Sequence, residues 1–136
     1  MTAVYRQSKG VFEFYNANPL GLLRAMDCVY RALATALDRE WDDIYYNLTA
    51  MGAELKNAPN ADAVFNKYLQ DCGYPKQPQP RFPNGKKYTV EQFAKAYSYG
   101  SYVVSIANHL TCVKDGKILD TWDCSQKTVG NYWRIR

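Results

Sequence analysis

The sequence predicts an α+β fold, with helices first and a C-terminal antiparallel sheet for them to pack on. Two patterns carry this prediction. Apolar residues recur at helical spacing in several segments between positions 28 and 97, and from position 102 onward short apolar runs alternate with turn residues, including Asp115-Gly116. The length of 136 residues matches one domain, so residues 1–136 are read as a single unit.

Residues 3–15 read as two short strands turning at Lys9-Gly10, with Val4 and Tyr5 in the first and Val11, Phe12, Phe14 and Tyr15 in the second. Residues 16–24 form a loop around Asn18-Pro19 and Gly21. Asp27 has the character of an N-cap whose side chain accepts from a free first-turn amide. From Cys28 onward Val29, Ala32, Leu33, Ala36 and Leu37 keep a helical period. A second helix is expected over 41–51, burying Ile44, Tyr45, Leu48 and Met51 and stopping at Gly52. A third covers 61–71 through Val64, Phe65, Tyr68 and Leu69. Residues 73–85 hold four of the six prolines, which excludes a helix interior or central strand and predicts an extended connector. Thr89-Val90-Glu91-Gln92 fits a capping box and opens a short helix running to Tyr97. Four strands follow, over 102–107, 110–113, 117–123 and 128–135.

Hydrophobic residues make up 47% of the chain and aromatic residues 15%, enough for a core without disulfides or metal. The net charge of +4 is spread along the chain with no Lys/Arg block, which argues against a nucleic-acid partner. Lys86, Lys87 and Tyr88 are the nearest approach to a basic aromatic patch. No segment nears the roughly 20 apolar residues of a membrane span, and the amino terminus has no signal-peptide run. Free cysteines then fit a cytoplasmic location. Cys72, Cys112 and Cys124 are read as packing residues, and Trp41 and Trp133 as core.

The chemistry concentrates in Cys28 and the lone histidine, His109. A cysteine in the first turn of a helix meets unpaired amides and a dipole that favour thiolate. A histidine on a rigid hairpin can take and return its proton. With a two-residue turn at Asp115-Gly116, Lys114 faces Lys117 and Thr111 faces Asp120, so His109 and Asp120 point the same way as diagonal neighbours and His109 faces Trp122. Trp122 would then shield that contact from water. A three-residue turn would bring Asp123 to the same face instead, and the sequence leaves the two acids open. The Cys28 amide and a side-chain donor from the preceding loop, Asn18 or Asn16, are candidates for holding an oxyanion. The His109-x-x-Cys112 spacing, with Cys124 beyond, is the only metal-like pattern. Strand alternation separates His109 from Cys112 and no paired Cys-x-x-Cys exists, so no metal site is expected.

This layout resembles the papain-like cysteine peptidase superfamily, in which a cysteine opens a helix, a histidine lies on a following strand and the next strand carries Asn or Asp before a Trp. Asp120-Thr121-Trp122 looks like that last element, which favours Asp120 over Asp123. Asn18-Pro19, Asp27-Cys28, Arg31-Ala32, Trp41-Asp42 and the run NHL…DGKILDTWD resemble short papain-like proteins of bacteria and their phages, over residues 18–133. Leu22 stands where many papain relatives carry the oxyanion-donating glutamine, six residues before the cysteine.

The resemblance implies a papain-like fold and a cysteine hydrolase acting on a peptide or isopeptide bond, without cofactor. Cys28 would be the nucleophile, His109 the base and acid, and Asp120 the orienting residue, with a protein or peptide as substrate. Two other functions suit the same fold: a catalytically inactive binding module of phage or mobile-element origin that blocks a host protein, and a deamidase or acyltransferase. Nothing in the sequence specifies an oligomeric state.

Overall fold

The computed structural model describes residues 8–136. Among them, four helices and five strands follow in the order β1 (Phe12–Phe14), α1 (Cys28–Leu37), α2 (Trp41–Leu55), α3 (Asp62–Asp71), α4 (Val90–Ala96), β2 (Ser101–Ile106), β3 (His109–Lys114), β4 (Lys117–Asp120) and β5 (Tyr132–Arg134). The strand expected at Val4 and Tyr5 lies outside the described residues.

The sheet is mixed, with spatial order β1-β4-β3-β2-β5. This corrects the expectation of a purely antiparallel sheet. β1, entered through a tight turn closed by the paired bonds between Lys9 and Phe12, joins this sheet and runs parallel to β4, with Phe12 opposite Ile118 and Phe14 opposite Asp120. The helices and the β2–β3 hairpin lie between the two strands in sequence, and such a long connection is what a parallel pair requires. β2, β3 and β4 form the antiparallel part, and β5 closes the far edge against β2.

The sheet is buried on both faces. Val103, Cys112 and Trp133 pack against α1, α2 and α3 through Leu33, Ile44, Leu48, Val64 and Leu69. Tyr102, Val104, Val113 and Ile118 face the other way, onto Val90 and Phe93 of α4 and onto Phe12, Cys124 and Val129. Burial on both faces is why β2 reads as an almost unbroken apolar run. α4 thus forms a third layer across the sheet from the other helices. Its capping box is present, with Thr89 Oγ1 accepting from the Gln92 amide and Gln92 Oε1 accepting from the Thr89 amide.

Several boundaries differ from the sequence reading. α2 continues past Gly52 to Leu55. Gly52 is buried, and a Cβ there would lie 2.7 Å from the Asn57 carbonyl oxygen, so this glycine admits a returning loop and does not end the helix. β4 stops at Asp120, and only Tyr132–Arg134 of the last segment is strand. Residues before it are held by backbone bonds to other loops, such as Val129 N–H to the Tyr88 carbonyl. Residues 73–85 form the expected irregular connector, and Gln77 pairs with Tyr132 at the sheet edge. Cys72 is exposed at the end of α3, so it is not a packing residue. No helix among the described residues is long and apolar enough to cross a membrane.

Candidate active site

α1 begins at Cys28 and packs along β3, and the β3–β4 hairpin opens toward its N-terminal end. Asp115 and Gly116 both take positive φ, 48° and 78°, and pair Lys114 with Lys117 as a two-residue turn requires. Continuing that register places Asp120 opposite Thr111 and diagonal to His109. The result is a 2.6 Å contact between His109 Nε2 and Asp120 Oδ2. With Nε2 occupied by the acid, Nδ1 is the imidazole nitrogen left for the thiol.

Cys28 and His109 line one cleft of about 280 Å³ at the junction of α1, α3 and the β2–β3 turn. Burial opposes the Cys28 thiolate, but the His109 imidazole, the Leu110 backbone and the Arg31 charge outweigh it and bring the thiol below its usual value. For His109, burial opposes the imidazolium, while the bond to Asp120 and the neighbouring thiol raise its pKa to about 9. Asp120 is 2% exposed; burial pushes its carboxyl up, and the His109 bond with the Arg31 charge brings it below the ordinary range. These shifts all favour a thiolate–imidazolium pair backed by a carboxylate.

Asp27 does not cap α1. Its side chain makes no bond to the first-turn amides. Its carboxylate accepts from Asn18 Nδ2 at 2.9 Å, Trp41 Nε1 at 3.0 Å and Arg31 Nε at 2.8 Å. Burial opposes the charge and these three donors restore it, so Asp27 is held below its normal range. Because Asp27 is engaged elsewhere, the N–H groups of Cys28, Val29 and Tyr30 have no acceptor among the described residues. They are the unpaired amides of the helix start, and two of their residues, Cys28 and Val29, line the cleft.

Sequence reasoning quoted Arg31 only within the Arg31-Ala32 resemblance and gave it no role, yet it joins both acids. Nε binds Asp27 and Nη1 binds Asp120 Oδ1 at 3.0 Å. The i,i+4 spacing of Asp27 and Arg31 was the available signal. Its link to Asp120 spans 89 residues and leaves no local trace. Trp41, expected in the core, is half-buried and serves as a donor to Asp27.

Other candidates fall elsewhere. Asp123 is exposed and accepts from the Ser125 amide, so it is not the acid behind the ring. Asn18 is buried, with Nδ2 on Asp27 and Oδ1 accepting from the Leu20 and Leu22 amides. Asn16 donates to the Leu22 carbonyl and accepts from the Asn18 amide. Both asparagines organise the loop before Cys28, and the structure gives neither a bond toward the thiol. Trp122 lies beyond the end of β4 and is exposed, and it meets the His109 ring edge to face with centroids 4.9 Å apart.

His109, Asp120 and Cys124 place one donor atom each within 4.8 Å of one another. Cys112, the residue in the metal-like spacing, packs in the α1 core instead. A soft divalent ion held by the first three would have to break the His109–Asp120 bond. It would also have to deprotonate Cys124, whose thiol burial pushes up to about 12. Thr111 Oγ1, buried beside this group, has no hydrogen-bond partner among the described residues. In comparisons with known proteins, the chain matches no family model, no curated protein and no solved structure.

Proposed function

We propose that this protein is a cysteine-dependent hydrolase of amide bonds in a peptide or protein, on a papain-like plan. One observation carries the reading: Cys28 shares its cleft with an imidazole that is itself bound through Nε2 to a buried carboxylate at 2.6 Å. Relay geometry of this kind makes a nucleophile at neutral pH.

The Cys28 thiolate adds to the carbonyl carbon, and the C=O π pair moves to oxygen. The Cys28 amide at the start of α1 faces that charge. Collapse breaks the C–N bond, and imidazolium Nδ1–H passes its proton to the departing amine. A water then gives its proton to Nδ1 and attacks the thioester; the C–S bond breaks, releasing the acid and restoring the thiolate–imidazolium pair. Asp120 keeps the ring oriented and stabilises its charge throughout. The same intermediate would serve a deamidase, with ammonia leaving, or an acyltransferase, with an amine replacing water.

Iodoacetamide alkylation tests the reading. Cys72 is exposed, so a Cys72→Ser background isolates Cys28. The rate should rise with a midpoint below the ordinary thiol value of about 8.5, and His109→Ala should move that midpoint up. An ordinary thiol titration, unchanged by His109→Ala, would overturn the proposal.

A further inference from the structure

The cleft that holds Cys28 is built in two tiers. Its floor is apolar, formed by Val29, Phe65, Ile106 and Leu110, all buried. Its rim carries polar side chains, of which Asn60, Asp62 and Asn108 are exposed. Asp62 is the only acidic residue lining the cleft. It enters no ion pair among the described residues, and no side-chain hydrogen bond claims it there. The remaining rim group, Ser105, is committed to the Asn131 backbone. An apolar floor beneath one unpaired carboxylate and two amides matches a side chain with a long aliphatic stem and a cationic tip.

We infer that this cleft selects a basic residue, Lys or Arg, next to the bond attacked by Cys28, with Asp62 as the specificity-determining residue. The inference rests on the hydrolase reading and adds a substrate class to it. The stem lies on Val29, Phe65, Ile106 and Leu110, while the ammonium or guanidinium reaches Asp62 and the Asn60 and Asn108 carbonyl oxygens. A glutamate in the same place would bring two carboxylates together. Asp62 is exposed in the first turn of α3, where the helix dipole favours a carboxylate only weakly. Asp62→Asn should therefore fold.

The test uses two thiol reagents with the same ethyl spacer and opposite charge, the cationic aminoethyl and the anionic sulfonatoethyl methanethiosulfonates, on Cys72→Ser protein. In each reaction the Cys28 thiolate displaces methanesulfinate and forms a mixed disulfide. In Asp62→Asn at low salt the cationic reagent should slow by up to roughly fivefold, the size expected of one charge near contact in water, while the anionic reagent speeds up, so the cation-to-anion rate ratio falls by at least that factor. It should fall further in Asp62→Lys. Hydrolysis of matched peptides carrying Lys, Leu or Glu beside the scissile bond should follow the same order. A fast, His109-dependent thiol whose charge ratio ignores Asp62 overturns this inference and leaves the hydrolase reading standing. A slow thiol indifferent to His109 overturns the hydrolase reading and, with it, the substrate class.

Discussion

Arg31 reaches from α1 to the end of β4 and donates from Nη1 to Asp120 Oδ1 at 3.0 Å, on the carboxylate whose other oxygen holds His109. A single guanidinium thus bridges two buried acids, Asp27 and Asp120, and offsets part of their mutual repulsion close to the thiol. Arg31→Met removes that cation and leaves both carboxylates without it. We predict a loss of about 3–5 kcal/mol in unfolding free energy, the usual cost of stripping one partner from a buried pair, read as a lower urea midpoint. Arg31→Lys should recover only part, because an ammonium cannot fork to two carboxylates.

Asp120→Asn keeps the size of the side chain and removes its charge. Without the carboxylate, His109 loses the main support of its imidazolium and the thiolate loses its counter-ion. Hydrolysis should fall on the order of 10²–10⁴-fold, by analogy with the loss of the orienting acid in other triads. Cys28 alkylation should need a higher pH than in the native protein. Asp123→Asn should leave both measurements unchanged, since Asp123 is exposed and bonded only to the Ser125 amide.

Stability should depend on pH through the ring. The folded pKa of His109, about 9, lies above the ordinary histidine value of 6.5. Its contribution is therefore complete below about 6.5 and is lost as pH rises through 9, to a total on the order of 3 kcal/mol. The depressed Cys28 thiol works in the opposite sense, adding stability at high pH and losing it as pH falls. Cys28→Ala keeps the part of the histidine shift that Asp120 supports and drops the thiolate's share, so the loss in that variant is smaller and starts at lower pH. In that variant the urea midpoint should drop between neutral and alkaline pH, and His109→Gln in the same background should remove the drop.

Gly100 separates fold from site. Its φ is +86°, and a Cβ there would stand 1.9 Å from the Arg136 carbonyl oxygen. It lies beside the Asp115 turn, at the end of the hairpin away from His109. Gly100→Ala should cost about 1–3 kcal/mol, seen as a lower melting temperature. The Cys28 alkylation midpoint in the folded variant should not move.

The helical segments were legible because each buries one periodic face: Leu33, Ile44, Leu48 and Val64 fall where spacing put them. Asp115-Gly116 set the register that joins His109 to Asp120, so the choice between Asp120 and Asp123 follows from one turn. Long-range partners were not legible. Phe12 pairing with Ile118, and Arg31 meeting Asp120, depend on contacts about a hundred residues apart that no local pattern encodes. Asp27 misled for a related reason. Its position before a helix suits a cap, yet Arg31, Trp41 and Asn18 together offer its carboxylate more than a single amide could.

The thiol and the ring stand 81 positions apart in the chain, on α1 and β3, and the acid comes later still, at the end of β4. During synthesis, a ribosome exposes the first helix well before the hairpin exists. A nascent chain at that stage carries a plain cysteine with no base near it, so on the proposed chemistry its reactivity would switch on only when the last strands close. Such timing would spare the translation machinery and the unfinished chain from an early nucleophile.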